Sequence, residues 1–419
     1  MFSQFPLPYK YQLYLECGHT EEMNMKDHLN ILLVHNHYRI FGGEDSVFDN
    51  EAKMLEKHGH RVYRYERSNT EIDDMNFREK ARLFFEVKWS QRTFDEITKI
   101  IHDNSIDLVH VHNPILLITP SVFDACIQAG VPVVQTLHNF RLVCLNGVLY
   151  RDGHICEDCI DRGIENALKN HCYRGSRLQT LALARSAEYN RTRGIYHDVN
   201  FICTTAFNKE KILTINREEE ILDPDKVFIK PNFVPDIRER KTPAESGYYL
   251  YAGRLEEIKG VRILVEAFNR MPERKLAVIG DGDLMQDLRS TAKENIVFHG
   301  RMDREEVYGW MTNARALVYP TQVYEGARPL AIGEAYACGC PAIASNKGNA
   351  ADLVDEGTTG TVFDSSSADA LIQAVERFEC MDSDWKVNTR KYYEENLEEE
   401  ENYRQLMDIY RGIMKNAAE

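Results

Sequence analysis

Five short stretches of this 419-residue chain combine residue types and spacings that could do chemistry. In Gly253-Arg254-Leu255-Glu256-Glu257-Ile258-Lys259-Gly260, a planar forked cation and a point cation bracket the start of a helix. Such a pair can clamp a diphosphate, or be two solvated surface cations. Further on, Glu325 and Glu334 flank a loop that runs into a helix. Carboxylates accept hydrogen bonds from the hydroxyls of sugars and riboses; near a helix start, Glu334 also suits the dipole. Gly42-Gly43 precedes another helix. Missing Cβ atoms and free N–H groups admit a phosphate there, although the same pair serves as a plain turn. His138 follows an apolar run and alone reads as a structural hydrogen-bonder. Cys144, Cys156, Cys159 and Cys172 follow the pattern C-x11-C-x2-C-x12-C. The Cys-x-x-Cys pair can give two thiolates to one ion and the flanking cysteines can complete a tetrahedron, with His154 and His171 as substitutes. A structural zinc is the expectation, against four free thiols; a closed four-thiolate site has no open position for catalysis.

These residues need elements to hold them. Short apolar runs at 31–35, 62–65, 108–112, 131–136 and 201–204 read as strands, and so do 248–251, 276–280, 296–298, 316–319 and 341–344. They lack polar alternation, which suits strands buried on both faces. The stretches between them, such as 45–58 and 261–271, have helical spacing. Strand–helix alternation predicts parallel sheets covered by helices. The pattern occurs twice, with a break at the two prolines of Lys230-Pro231-Asn232-Phe233-Val234-Pro235. We read an N-terminal extension over 1–28, two doubly wound α/β domains over 29–234 and 235–390, and a helical segment over 391–419. In that last segment Tyr403, Leu406, Met407, Tyr410, Ile413 and Met414 form one apolar stripe. Met23 or Met25 could be the true start. In open α/β sheets ligands bind outside the carboxyl ends of the strands, and the residues singled out above follow predicted strands.

The net charge of −15 argues against a nucleic-acid binder. No apolar run reaches the ~18 residues that span a bilayer. The N-terminal stretch has no apolar core of a signal peptide, so a cytoplasmic protein with reduced thiols is expected. Residues 80–89, Lys-Ala-Arg-Leu-Phe-Phe-Glu-Val-Lys-Trp, mix cations and aromatics and could touch a membrane; as an ordinary helix they would turn an apolar face to the core.

Together the Gly-Arg-Leu…Lys-Gly block of 253–260 and the Tyr-Glu-Gly…Glu-Ala…Cys-Gly-x-Pro block of 324–341 resemble glycosyltransferase family 4, the retaining nucleotide-sugar enzymes of GT-B fold. The resemblance covers about residues 30–385 and takes in the 109–114 and 135–139 stretches. The wording from His138 through Cys159 is similar to members that build bacterial surface polysaccharides. The resemblance implies two Rossmann-like domains facing a cleft, a nucleoside-diphosphate sugar as donor and a saccharide or lipid-linked saccharide as acceptor. It implies no catalytic metal, and a place in the cytoplasm or at the inner face of the cytoplasmic membrane. Arg254 and Lys259 would hold the donor diphosphate, Gly42 and Gly43 would touch it from the facing domain, and Glu334 would bind the ribose. Glu325 would contact sugar hydroxyls, His138 would sit at the reacting sugar, and Arg301 lies where members meet the base. One departure stands out: eight residues separate Glu325 from Glu334 where the family has seven, and position 326 is glycine. A one-residue insertion keeps Glu325 in its role; otherwise that role is lost. A nucleotide-sugar epimerase or a glycogen-phosphorylase-like enzyme on the same fold is one rival. A sugar-nucleotide-binding protein without catalysis is the other.

Overall fold

The Ile31–Val34 run forms the centre of an eight-residue strand, β1 (Asn30–His37), whose residues from Ile31 to Asn36 are all buried. The computed structural model describes residues 28–217, 219–237 and 245–418, so the rest of the N-terminal extension, with Met23 and Met25, lies outside the described residues. β1 pairs in parallel with β2 (Arg61–Ser68) and β3 (Leu108–Asn113). Next comes β4 (Val133–Leu137), followed by a small antiparallel hairpin of β5 (Tyr150–Arg151) and β6 (His154–Ile155). Asp152 and Gly153 turn that hairpin with φ of 51° and 83°, the doubly positive pair that a two-residue hairpin loop needs. β7 (Asn200–Cys203) and β8 (Val227–Ile229) complete a six-stranded parallel sheet of order β2-β1-β3-β4-β7-β8.

The second sheet repeats the plan. β9 (Tyr249–Ala252), β10 (Leu276–Ile279), β11 (Ile296–Gly300), β12 (Ala316–Tyr319), β13 (Ala342–Ser345) and β14 (Gly360–Phe363) lie in the order β11-β10-β9-β12-β13-β14. All ten predicted strands are present, nine of them within a residue or two and β2 extending three residues further, to Ser68. The two edge strands β8 and β14 escaped sequence reading; β8 is only three residues long and β14 opens on a glycine, which reads as a turn. In each sheet the chain reverses its direction of winding beside the first strand, between β1 and β3 and between β9 and β12. Crevices open at such switch points.

The helix Glu399–Ala418 does not pack on the sheet that precedes it. Its Leu406, Met407, Tyr410 and Ile413 join Leu29, Ile31, Leu33 and Phe48 in one buried cluster on the first sheet. The stripe read from the sequence is this contact face. Val234 N–H donates to Leu397 O at 3.1 Å, so the chain passes between the sheets twice, side by side.

Candidate active site

A cleft of about 1480 Å³ lies between the two sheets at the carboxyl ends of β1, β4, β9 and β12. Gly42, Gly43, His138, Arg254, Lys259, Arg301 and Glu325 all line it. Glu334 does not; it stands behind the wall, accepting from Tyr308 Oη at 3.1 Å and Arg304 Nη2 at 3.4 Å. Arg304 itself reaches the cleft.

On the β9–β12 side, Lys259 Nζ meets Glu325 Oε1 and Oε2 at 2.9 and 3.1 Å. Tyr319 Oη and Thr321 Oγ1 donate to the same carboxylate at 3.0 and 2.8 Å. Burial opposes its ionisation, but Lys259 and these hydroxyls outweigh burial and hold Glu325 below the usual carboxylate range. Arg254 is half exposed and pairs with Glu256 at 2.7 Å, a partner that an anionic ligand can replace. Gly326 explains its own residue type. A Cβ there would stand 2.4 Å from the carbonyl oxygen of His138, so the Glu325 loop lies against the facing domain. Asn208 Nδ2 donates to Gly326 O at 3.0 Å and Asn349 Nδ2 to Glu325 O at 2.6 Å. The longer loop thus still presents Glu325 to the cleft.

On the other side the helix Gly43–Lys57 begins at the cleft, and so does Leu330–Ala337 across from it. A Cβ on Gly43 would be 3.8 Å from Leu330 Cδ1, so two helix N-termini face each other over the same space. Their partial positive ends favour an anion between them. Gly42 N–H is already spoken for: it donates to Asp45 Oδ2 at 2.7 Å. Asp45 also bonds His35 and His37, and His37 is bonded by Glu66 as well. Those carboxylates raise the His37 pKa to about 9.

His138 is half-buried, and its Nε2 lies 3.0 Å from His112 Nδ1. Its Nδ1 makes no hydrogen bond, and burial presses its pKa well down. Beside it are residues that sequence reading passed over. Glu44 lines the cleft and bonds Asn113 Nδ2 at 3.1 Å. Burial lifts its pKa to about 8 even though Arg141 works against this. Arg141 lies beneath Tyr38 and Tyr173, and Arg328 also faces the cleft. Glu44 follows Gly42-Gly43 directly and could have been found by that neighbourhood; Arg141 and Arg328 carry no sequence signal apart from their charge.

The four cysteines are free thiols in the irregular segment between β4 and the helix Arg177–Thr192. Burial pushes Cys159 up to about 12, and Cys144, Cys172 and Cys156 add to the rise. No three of these sulfurs lie within 4.8 Å of one another. Among the described residues that spacing is met by His35, His37 and Asp45 and by Glu51, His110 and His112. In the second group Lys230 Nζ, 3.2 Å from Glu51, already supplies the positive charge.

Two parallel-sheet domains with phosphate-friendly helix ends facing one cleft define the GT-B architecture. The sequence of residues 41–216 matches Glycosyltransferase Family 4, and residues 247–379 match Glycosyl transferases group 1. The chain belongs to the family 4 glycosyltransferases. It is 30% identical over 169 residues to a GDP-mannose-dependent alpha-(1-6)-phosphatidylinositol monomannoside mannosyltransferase of Mycolicibacterium smegmatis, covering 37% of this chain and 44% of that protein. The matched part spans less than half the length of such curated relatives. Among solved structures, Anabaena Alr3699/HepE in complex with UDP and glucose superposes with a TM-score of 0.63 at 14% identity, over 92% of this chain and 100% of that one. Sucrose-phosphate synthase of Thermosynechococcus elongatus gives 0.67 at 17% identity, over 93% and 100%. At these identities the structures speak to the fold alone. No helix among the described residues is long and apolar enough to cross a membrane.

Proposed function

We propose that this protein transfers a sugar from a nucleoside-diphosphate sugar to an acceptor hydroxyl with retention of configuration. The acceptor is a saccharide or lipid-linked saccharide of cell-surface polysaccharide or glycolipid synthesis, and the enzyme works in the cytoplasm at the inner membrane face. The observation that carries this reading is the convergence, in one interdomain cleft, of Lys259 with Glu325, Arg254 and two helix N-termini opposite His138. Breaking the glycosidic bond builds negative charge on the departing diphosphate and positive charge on the sugar. Preorganised cations and helix ends stabilise that charge more in the transition state than in the ground state. Lys259 and Arg254 would take the diphosphate, Arg301 would border the base, and Glu334, reached past Arg304, the ribose. Glu325 would hold sugar hydroxyls, and the leaving phosphate would take the acceptor proton. With side chains supplying the cations, no catalytic metal is needed. A panel of nucleoside-diphosphate sugars in a thermal-shift assay tests the donor class. One of them should raise Tm, a ligand at 100 times its Kd adding ~2.7 kcal/mol, and its transfer should survive magnesium chelation. A stabilising donor that is epimerised without acceptor, or bound and never consumed, rejects transfer.

We also propose a structural zinc on Cys144, Cys156, Cys159 and Cys172. Four thiols on one irregular segment support it, as does the Arg151 guanidinium beside Cys172, which would offset thiolate charge. The sulfurs would draw closer on binding.

A further inference from the structure

Behind His138 a buried polar chain runs through the first sheet to the helix Glu399–Ala418. His112 Nδ1 is 3.0 Å from His138 Nε2, and the two rings stack with centroids 5.2 Å apart. His112 Nε2 faces Glu51 Oε1 at 3.4 Å. Glu51 Oε2 receives Lys230 Nζ at 3.2 Å, and Lys230 also donates to Asn402 Oδ1 at 2.8 Å. His110 Nδ1 lies 2.8 Å from Glu51 Oε1 and 2.7 Å from Tyr410 Oη, while its Nε2 meets Thr136 Oγ1 at 2.7 Å. Glu51 and Lys230 are each 1% exposed, so the pair stays together or both charges are orphaned.

The charge states decide where the protons sit. Burial opposes ionisation of Glu51, but Lys230 and then His110 outweigh it and keep the carboxylate charged. Burial pushes His112 down to about 4 and His138 down as well, so both rings are neutral at pH 7. A neutral imidazole has one N–H and one lone pair. Neither His112 Nε2 nor Glu51 Oε1 has a well-aligned hydrogen bond elsewhere. Were the His112 proton on Nδ1, the bare Nε2 would face a carboxylate oxygen, two lone pairs opposed in a low dielectric. With the proton on Nε2 the contact is attractive, although 3.4 Å is long for a hydrogen bond. His112 Nδ1 is then an acceptor, and His138 must carry its own proton on Nε2. What remains is His138 Nδ1, a buried lone pair without a partner on a residue that lines the cleft.

We propose that Glu51, acting through His112, sets His138 as its Nε2–H tautomer, so that Nδ1 accepts a hydrogen bond from a ligand hydroxyl and cannot donate to a phosphate oxygen. Glu51 and His112 are positioning residues, and Lys230 and Asn402 hold Glu51 in place. The tautomer rests on these contacts and charge states whatever the protein turns over; only the ligand hydroxyl rests on the function proposed above.

Nitrogen NMR of the full chain labelled at histidine tests it, with His138 assigned by its loss in His138→Asn. The expected spectrum at pH 7 shows a protonated Nε2 and a bare Nδ1 at His138. A protonated Nδ1, or a charged ring, overturns the proposal. In His112→Leu the two tautomers of His138 should mix and turnover should fall on the order of tenfold, the size of one lost neutral hydrogen bond. In His112→Gln the side-chain oxygen can accept from Nε2–H and should restore both. A leucine variant with unchanged tautomer and turnover overturns the relay. The wild-type spectrum is decisive even if that variant fails to fold. The expected tautomer in a protein that turns over no nucleotide sugar leaves this inference standing and rejects the proposed function.

Discussion

Lys259 has two partners to serve: the Glu325 carboxylate now beside it and the diphosphate proposed for the cleft. Lys259→Ala should therefore lower kcat/KM by ~100-fold or more, about 3 kcal/mol, in line with the loss of one oxyanion donor. Arg254→Ala, at a more exposed position, should act in the same direction. Steady-state kinetics with the donor found by thermal shift checks both; near-normal rates in both variants remove the clamp. Glu44 offers a test that needs no substrate. Its carboxyl ionises near 4.5 in the unfolded chain and at about 8 in the fold. Between those values the unfolded state binds fewer protons, so ionising Glu44 costs stability progressively as pH rises from about 4.5 to 8, and no further above 8. Glu44→Gln removes that cost. The Tm of the variant relative to wild type should climb across this window and then level off. A constant difference from pH 5 to 9 would mean that Glu44 is not held in its neutral form.

At the scale of elements, the segment between β4 and the helix Arg177–Thr192 is the least regular part of the first domain. Its small cluster of Leu145, Ala167, Tyr173 and Leu183 gives it little core of its own. A zinc would supply the missing cohesion. Elemental analysis of protein purified without a metal-affinity column should find about one zinc per chain, lost in Cys156→Ser with Cys159→Ser. Metal-free folded protein with four alkylatable thiols would end that idea. Sequence was most legible where an element is buried on both faces: β1 has an unbroken apolar centre and β10 is apolar throughout, and the cleft residues follow such strands. The Gly326 contact was not legible, since it depends on His138, 188 positions earlier and on the other sheet. The relay behind His138 was hidden for the same reason. His110 and His112 come from β3, Glu51 from the helix Gly43–Lys57 and Lys230 from the interdomain break, and each alone looks like an ordinary polar residue. The helix Phe77–Glu86 differs from expectation in another way. Its aromatics suggested a core face, yet none of its residues is buried.

For the whole molecule, that helix matters because of what surrounds it. Phe77 is 86% exposed and Phe85 60%, with Arg78, Lys80 and Arg82 on the same helix and Arg185 over the Phe84 and Phe85 rings. Exposed aromatics among cations fit an anionic membrane surface better than water. Co-sedimentation should show binding to vesicles containing anionic lipid, weakened by salt and by Phe77→Ser with Phe85→Ser. Equal recovery with neutral and anionic vesicles would leave the protein without a membrane face. The helix Glu399–Ala418 closes the cluster that holds Leu29 and Ile31, and places Asn402 and Tyr410 against Lys230 and His110. A chain is made from its N-terminus, and domains generally fold as they emerge. Here the ribosome releases the first sheet long before it makes the residues that seal it. Until residue 413 has left the exit tunnel, the nascent first domain shows an apolar face and an uncovered lysine to whatever chaperones stand there.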